Sequence, residues 1–443
     1  MGSWDILIPK RGLNMKPKRL HYGWLMSIEG ALLIFCTAGI TVSSISVLMP
    51  YIVESGVMNR TEVSMITSVR SFFVIIALPL VPRYLAFLGI RKGCALASLV
   101  SCISFILLSF ASTTFSYYFA SALAGIAFAL GGLTSVSFLM ERWFQSRKGV
   151  AIGICASGSS MAGIVVPVIF TKMIEHFTLR NALLIEAGFV FAVTILLFST
   201  MRDAPGDIDA EPYLDAVYRE SQSEEKVMIR YNSHVPRSAK AFILIASLLI
   251  GACACSGYQH LVLLYRTAGF SSLGASLLYT LASATQVTSK ILFGYIVDKA
   301  GVYRANYFFF AMMTIGLFLC ALADTRNMPI AIAAVLIYGV GLPLCSVALS
   351  IYAHDMASSE TEYGKLLTGL NLNYLLGALI YSSFIGIIAE QTNTYTYAYM
   401  MLVAISVVAM FFVQHSYKQC NNARTFNQPP SENCAGREKS AYR

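Results

Sequence analysis

Residues 286–301 read QVTSKILFGYIVDKAG, an apolar helical pattern interrupted by Lys290, with Gly294 one turn later and the pair Asp298–Lys299 another turn on. A charge at the centre of a bilayer costs at least about 2.5 kcal/mol. Either this stretch is no membrane span, or Lys290 has a task that justifies its placement. The surrounding sequence favours the second. Apolar residues make up 56% of the 443 and charged residues 12%, against roughly 25% charge in a soluble domain. Mean hydropathy is +0.65. That balance excludes a soluble globular protein and implies a chain that crosses a lipid bilayer repeatedly.

Stretches of about 20 mainly apolar residues, the length a span needs, recur through the sequence. They fall at 22–50, 61–81, 93–112, 116–140, 149–172, 180–200, 240–265, 272–296, 303–323, 328–352, 366–389 and 395–415. No water reaches the backbone at that depth, so each is expected as a helix. The texture turns polar at 203–226, DAPGDIDAEPYLDAVYRESQSEEK. This divides the chain into a first six-helix bundle with a short basic tail (1–200), a central loop (201–239) and a second six-helix bundle (240–415). The tail 416–443 has no apolar periodicity and is expected to be disordered.

If the termini and the central loop share one side, that side holds 25 of the 32 Lys and Arg residues. The other holds five (Arg60, Lys172, Arg180, Arg266, Arg326), leaving Arg70 and Lys290 within the membrane. Positive residues stay inside, so both termini are expected in the cytoplasm, from a plasma or inner membrane. The same bias accounts for the net charge of +9 with no nucleic-acid partner, since no basic groove interleaved with aromatics appears. The first 20 residues lack a signal peptide's apolar core and cleavage site, and Ile6 breaks the myristoylation pattern.

Chemistry of the enzymatic kind finds no constellation to carry it. The six His are scattered, no nucleophile sits on a strand-turn-helix elbow, and neither a metal centre nor a cofactor is expected. Most cysteines stand singly in apolar spans as small hydrophobes. Cys253 and Cys255 are two apart, on opposite helix faces. Asn59-Arg60-Thr61 matches a glycosylation sequon, but Asn59 with Glu62 three residues on reads better as a helix cap.

Residues 294–304, GYIVDKAGVYR, fit the pattern G-x-x-x-D-[RK]-x-G-x-x-[RK], with Gly294, Asp298, Lys299, Gly301 and Arg304 as its fixed points. About 210 residues earlier, PRYLAFLGIRK at 82–92 keeps Gly89, Arg91 and Lys92 at the same spacing but lacks the first Gly and the Asp. This motif resembles that of the major facilitator superfamily, and two copies look like the halves of a duplicated transporter. ERWFQSRKGVAIGICASGSSMAGIVVP (141–167), residues 260–301 and HYGWLM (21–26) resemble, within it, the oxalate/formate antiporter and monocarboxylate transporter branch. The resemblance implies an all-α fold of twelve transmembrane helices in two bundles, and secondary transport of a small organic anion, a monocarboxylate first, by alternating access; a monomer is expected. Protons or a counter-anion are candidate coupling partners. An exporter of neutral or amphipathic compounds, a dicarboxylate/formate-type exchanger and a sensor that moves nothing stay open as alternatives.

The branch carries a basic residue on helix eight, four positions before the motif glycine, that contacts the substrate carboxylate; Lys290 stands there. Eight residues from Asp298 at 1.5 Å each bury it about 12 Å deep, too far for easy snorkelling. Gln286 and Gly294 share its helix face. Two departures matter. Proton-coupled relatives have an Asp where this chain has Gln286, and oxalate carriers have a second basic residue where it has Leu370. Further substrate contacts are expected from Tyr258 and His260 on helix seven, Tyr338 on helix ten and Asn371 on helix eleven. Leu133 and Ser135 replace the Tyr positions of helix four. Glu29 and Arg70 lie at similar depth on neighbouring helices, so a structural Glu29–Arg70 pair is expected, with Glu29 as a proton carrier the alternative. Glu186 is expected to pair with Lys172 or Arg180.

Overall fold

The computed structural model describes residues 21–145, 148–208, 211–214 and 235–427. Its long helices are α1 (Tyr22–Glu54), α2 (Arg60–Leu88), α3 (Ile90–Ser109), α4 (Thr114–Trp143), α5 (Lys148–His176), α6 (Leu179–Thr200), α7 (Arg237–Gln259), α8 (Ser272–Ala300), α9 (Val302–Ala321), α10 (Met328–Met356), α11 (Glu360–Thr392) and α12 (Thr396–Asn427). Among the described residues, eleven helices are long and apolar enough to cross a membrane. The exception, α8, spans 29 residues, but Ser, Thr and Gln run through its middle and lower its hydropathy. It nevertheless packs within the bundle, against α5 and α10.

Local chemistry sets the helix ends. Asn59 and Glu62 form a reciprocal cap, Asn59 Oδ1 accepting from Glu62 N at 2.8 Å and Glu62 Oε2 from Asn59 N at 2.9 Å. Thr178, Ser271, Asn327 and Ser359 cap α6, α8, α10 and α11 by accepting from the amide three residues on. The disorder expected from 416 is corrected for 416–427. Those residues contain no Gly or Pro to end α12, and Tyr417 donates to Asp355 at 2.8 Å while Ser238 donates to Gln419 at 2.7 Å. Residues 428–443, and 209–210 and 215–234 of the central loop, lie outside the described residues.

The two halves repeat each other's irregularities. α1 and α7 each contain a π-helical turn, at Phe35–Ile40 and Gly251–Ser256. α4 and α10 each break midway, ahead of Leu133 and at Leu342–Cys345. α2 and α8 end at Gly89 and Gly301, with φ of +79° and +81°, a backbone region that glycine enters without strain. Matching defects at matching places are the structural trace of a duplicated six-helix unit.

Between the halves, α2 packs on α11, α5 on α8, and the short helix Leu261–Thr267 on α1. The seam is one-sided. At the end opposite the described termini, Arg266 pairs with Glu54, Arg60 donates its backbone amide to Glu390 at 2.9 Å and its guanidinium to the Ala389 carbonyl at 3.0 Å, and Thr171 meets Ser276 at 2.6 Å. At the terminal end, the ties among described residues stay inside one half: Lys240 with Glu362, Arg91 N with Asp203 (2.6 Å), Trp143 Nε1 with the Arg202 carbonyl (3.2 Å). A Cβ added at Gly153, Gly294 or Gly364 would meet nothing within 4 Å, whereas one at Gly163 would stand 2.7 Å from Ser283 and one at Gly386 2.7 Å from Ser64. The halves touch at the far end and part at the terminal end.

Candidate binding cavity

A cavity of about 330 Å³ lies between the halves, small-molecule size. The irregular turns build it. Ala38 and Gly39 come from the π turn of α1, Ala254 and Cys255 from that of α7, and Gly132, Cys345 and Ser346 from the breaks in α4 and α10. Straight helices would pack these segments shut; a π turn or a break bends the axis and leaves room beside it. Arg70 and Ser71 of α2, Ser159 and Ser160 of α5, Tyr258 and Gln259 of α7, Tyr279, Gln286 and Lys290 of α8 and Tyr374 of α11 complete the polar part of the wall.

Of the residues expected to contact substrate, Lys290, Gln286 and Tyr258 come together here. Lys290 Nζ donates to Ser160 Oγ at 3.1 Å, a bond that crosses from one half to the other. Gln286 Nε2 lies 4.0 Å from Cys345 Sγ, and Tyr258 bonds Ser283 while its ring packs 4.4 Å from that of Tyr279. The other three expected residues do not join them. His260 is buried against its own helix, its Nδ1 2.9 Å from the Ser256 carbonyl. Tyr338 donates to the Cys253 carbonyl at 2.7 Å, satisfying a backbone group freed by the π turn. Asn371 donates to the Leu367 carbonyl one turn back at 2.9 Å. None of the three lines the cavity.

The expected Glu29–Arg70 pair does not form. Equal depth fixes height, not direction: Glu29 turns toward Thr200 and Arg202 at the terminal end, with Oε2 left without a partner. Arg70 turns the other way, into the cavity, beside Cys255, Tyr279 and Tyr374. Glu186 meets neither Lys172 nor Arg180; its Oε1 accepts from Ser44 of α1 at 2.8 Å, and Arg180 lies 4.2 Å over the Phe110 ring. The two acids are therefore away from the cavity, and the two intramembrane cations are in its wall. Among the described residues, no Asp or Glu lines it.

The motif residues sit at the terminal end. Gly301 and Gly89 make the turns into α9 and α3. Lys299 Nζ lies 4.6 Å over the Tyr295 ring, while Lys92 and Arg304 are exposed. The side chain of Asp298 lies outside the described residues. In the first-half copy, which lacks the Asp, Asp203 from beyond α6 takes up the amide of Arg91 at 2.6 Å, and Arg91 Nε donates to the Phe198 carbonyl at 2.7 Å. Sequence reasoning missed Ser160, Cys255, Cys345, Tyr279 and Tyr374 as wall residues. Ser160 had a signal, the small residues Gly149, Gly153, Ser157 and Ser160 spaced along α5; Cys255 had none, because nothing in the sequence announces a π turn, and Cys345 had only Pro343 two residues before it at the break in α10.

Comparison with known proteins agrees with this architecture. The profile described as Major Facilitator Superfamily matches residues 31–361. Human monocarboxylate transporter 12 is 23% identical over 417 residues, covering 88% of this chain and 80% of that one. An MFS-type transporter of Gibberella moniliformis is 23% identical over 333 residues, covering 73% of this chain and 75% of that one. The crystal structure of a D-xylose-proton symporter superposes with a TM-score of 0.68 at 15% identity, over 88% of this chain and 96% of that one; at that identity the likeness speaks for the fold alone.

Proposed function

We propose that this chain, which belongs to the Major Facilitator Superfamily, is a secondary transporter that moves a small organic anion, in the simplest case a monocarboxylate, by alternating access. A multi-pass membrane transporter of this superfamily is the common ground with its relatives. The anion is the step beyond it, and one observation carries that step: Lys290 stands in the wall of a cavity enclosed by both halves, with no Asp or Glu among the described residues of that wall. A half-buried ammonium within the membrane, bonded to one neutral hydroxyl, is poorly compensated. A carboxylate arriving in the cavity supplies the missing charge.

In this reading α8 is the twelfth span, its polar middle facing the cavity instead of lipid. Both termini face the cytoplasm, the protein works as a monomer in a plasma or inner membrane, and the conformer described here is the inward-open one, because the seam is closed at the far end and parted at the terminal end. Rocking of the halves about Lys290 and Ser160 would expose the cavity alternately to each side. The test is uptake and counterflow in proteoliposomes with a panel of carboxylates. Expected is transport of at least one anion in the panel, reduced at least about tenfold by Lys290→Gln, the scale of a lost charge-assisted bond. Transport of no anion, or anion transport unaffected by Lys290→Gln, refutes the proposal.

A further inference from the structure

We infer that Arg70 forms a second anion-binding position in the cavity and that the preferred cargo is an elongated organic dianion, one carboxylate against Lys290 and the other against Arg70. The inference rests on the role given to Lys290 above and deepens it. Arg70 is 3% exposed, lines the cavity, and holds a buried Nη1 with no hydrogen-bond partner. Its electrostatic neighbours Cys255, Tyr279 and Tyr374 carry no compensating acid, and Glu29 is engaged elsewhere. A guanidinium buried without an acceptor is among the costliest arrangements a protein holds, and it persists where a ligand provides the acceptor. Its planar fork suits a carboxylate, which can accept two parallel bonds from it.

Charge and spacing then select the ligand class. Among the described residues the wall carries two cations and no anion, so a monocarboxylate leaves one positive charge uncompensated and a dianion leaves none. The cations also enter at different heights. Arg70 lies beside Tyr279, and the backbones of Tyr279 and Lys290 are about 16 Å apart along α8, from a rise of 1.5 Å per residue; the Lys290 side chain reaches back toward Tyr279 to Ser160, one turn from the Gly163 that faces Ser283, which leaves roughly 10 Å between the two charges. Tyr374 and Cys345 link the two levels: Tyr374 neighbours both Arg70 and Cys345, and Cys345 neighbours Lys290. Two carboxylates joined by a spacer match this arrangement, whereas the adjoining carboxyls of oxalate do not. Because Arg70 belongs to the first half and Lys290 to the second, such a cargo touches both.

The experiment uses the full-length protein in proteoliposomes and compares anions of matched length: butyrate with succinate, hexanoate with adipate, and oxalate as the short dianion. Expected is uptake or competition at least about tenfold stronger for succinate or adipate than for the monocarboxylate of the same length and for oxalate. Arg70→Gln should abolish that advantage, and Arg70→Lys should retain part of it. Equal competition by monocarboxylates and dicarboxylates in the unmodified protein overturns the inference without recourse to any variant, as does a dicarboxylate advantage that survives Arg70→Gln. If no anion is transported, the reading of Lys290 fails first; if butyrate moves and succinate gains nothing, Arg70 alone is misassigned.

Discussion

Weakening the far-end seam should open the cavity on that side. The perturbation is Arg266→Gln combined with Glu390→Gln, two contacts that tie the halves together where the described conformer is closed. Arg266 pairs with Glu54, side chains 18% and 50% exposed, so solvent screening limits that pair to about 0.5 kcal/mol. Glu390 accepts from the Arg60 amide at 2.9 Å, at the first turn of α2 and exposed to solvent, which adds about 0.5–1 kcal/mol. Together the loss is about 1–1.5 kcal/mol, a five- to tenfold shift in population away from the far-end-closed state. Cys255 and Cys345 line the cavity and report its accessibility. In sealed vesicles of known sidedness, a membrane-impermeant thiol reagent applied from the far side should modify these two cysteines five to ten times faster in the double variant, read by site-resolved mass spectrometry. Unchanged or slower modification from that side refutes the assignment of the closed end.

Three further outcomes are expected. Glu29→Gln should abolish accumulation driven by an inward proton gradient while sparing exchange, if the acid with an unpartnered Oε2 carries the proton; unaltered gradient-driven uptake removes it from the mechanism. Asp203→Ala removes the carboxylate that holds the first turn of α3 through Arg91 N, costing about 1–2 kcal/mol and lowering the melting temperature in detergent, and an unchanged melting temperature would show the contact to be dispensable. Gly158→Val places side-chain atoms on the Ala31 backbone of α1, an overpacking of about 1–3 kcal/mol, whereas Gly153→Ala meets open space; equal thermal stability of the two variants would contradict the packing described.

Periodicity and length made the helices legible, and the paired Gly89 and Gly301 motifs made the duplication legible, because both are properties of single segments. What the sequence withheld are relations between segments. Depth along a helix can be counted at 1.5 Å per residue, which put Glu29 and Arg70 at the same height, but the rotation of each helix about its axis decides whether the side chains face each other, and they do not. Arg70 did have a signal: α2 carries Ser64, Thr67, Ser68 and Ser71 around it, a polar face that lipid would not accept. Lys290 was legible for a related reason, its face shared with Gln286. His260, Tyr338 and Asn371 misled because each bonds a carbonyl within its own helix or at a π turn, and a polar side chain in a span satisfies local backbone as readily as it meets a ligand.

The two cations make a prediction about kinetics. Two unit charges about 10 Å apart at an effective dielectric of 20 repel by about 1.7 kcal/mol. Arg70 and Lys290 belong to opposite halves, and closing the parted terminal end moves those halves together, so the empty carrier works against this repulsion when it rocks. A carrier holding a dianion works with an attraction instead. Exchange, in which the carrier is loaded in both directions, should therefore outrun net flux, which needs an empty return, by about tenfold, the ratio that 1.4 kcal/mol corresponds to. The assay is uptake of labelled succinate into proteoliposomes preloaded with unlabelled succinate or with buffer. Neutralising both positions, Arg70→Gln with Lys290→Gln, removes the repulsion, so residual transport of any cargo should lose its dependence on preloading. Equal uptake with and without preloading in the unmodified protein would mean that the return step does not feel the two charges, and that their place in the wall serves binding alone.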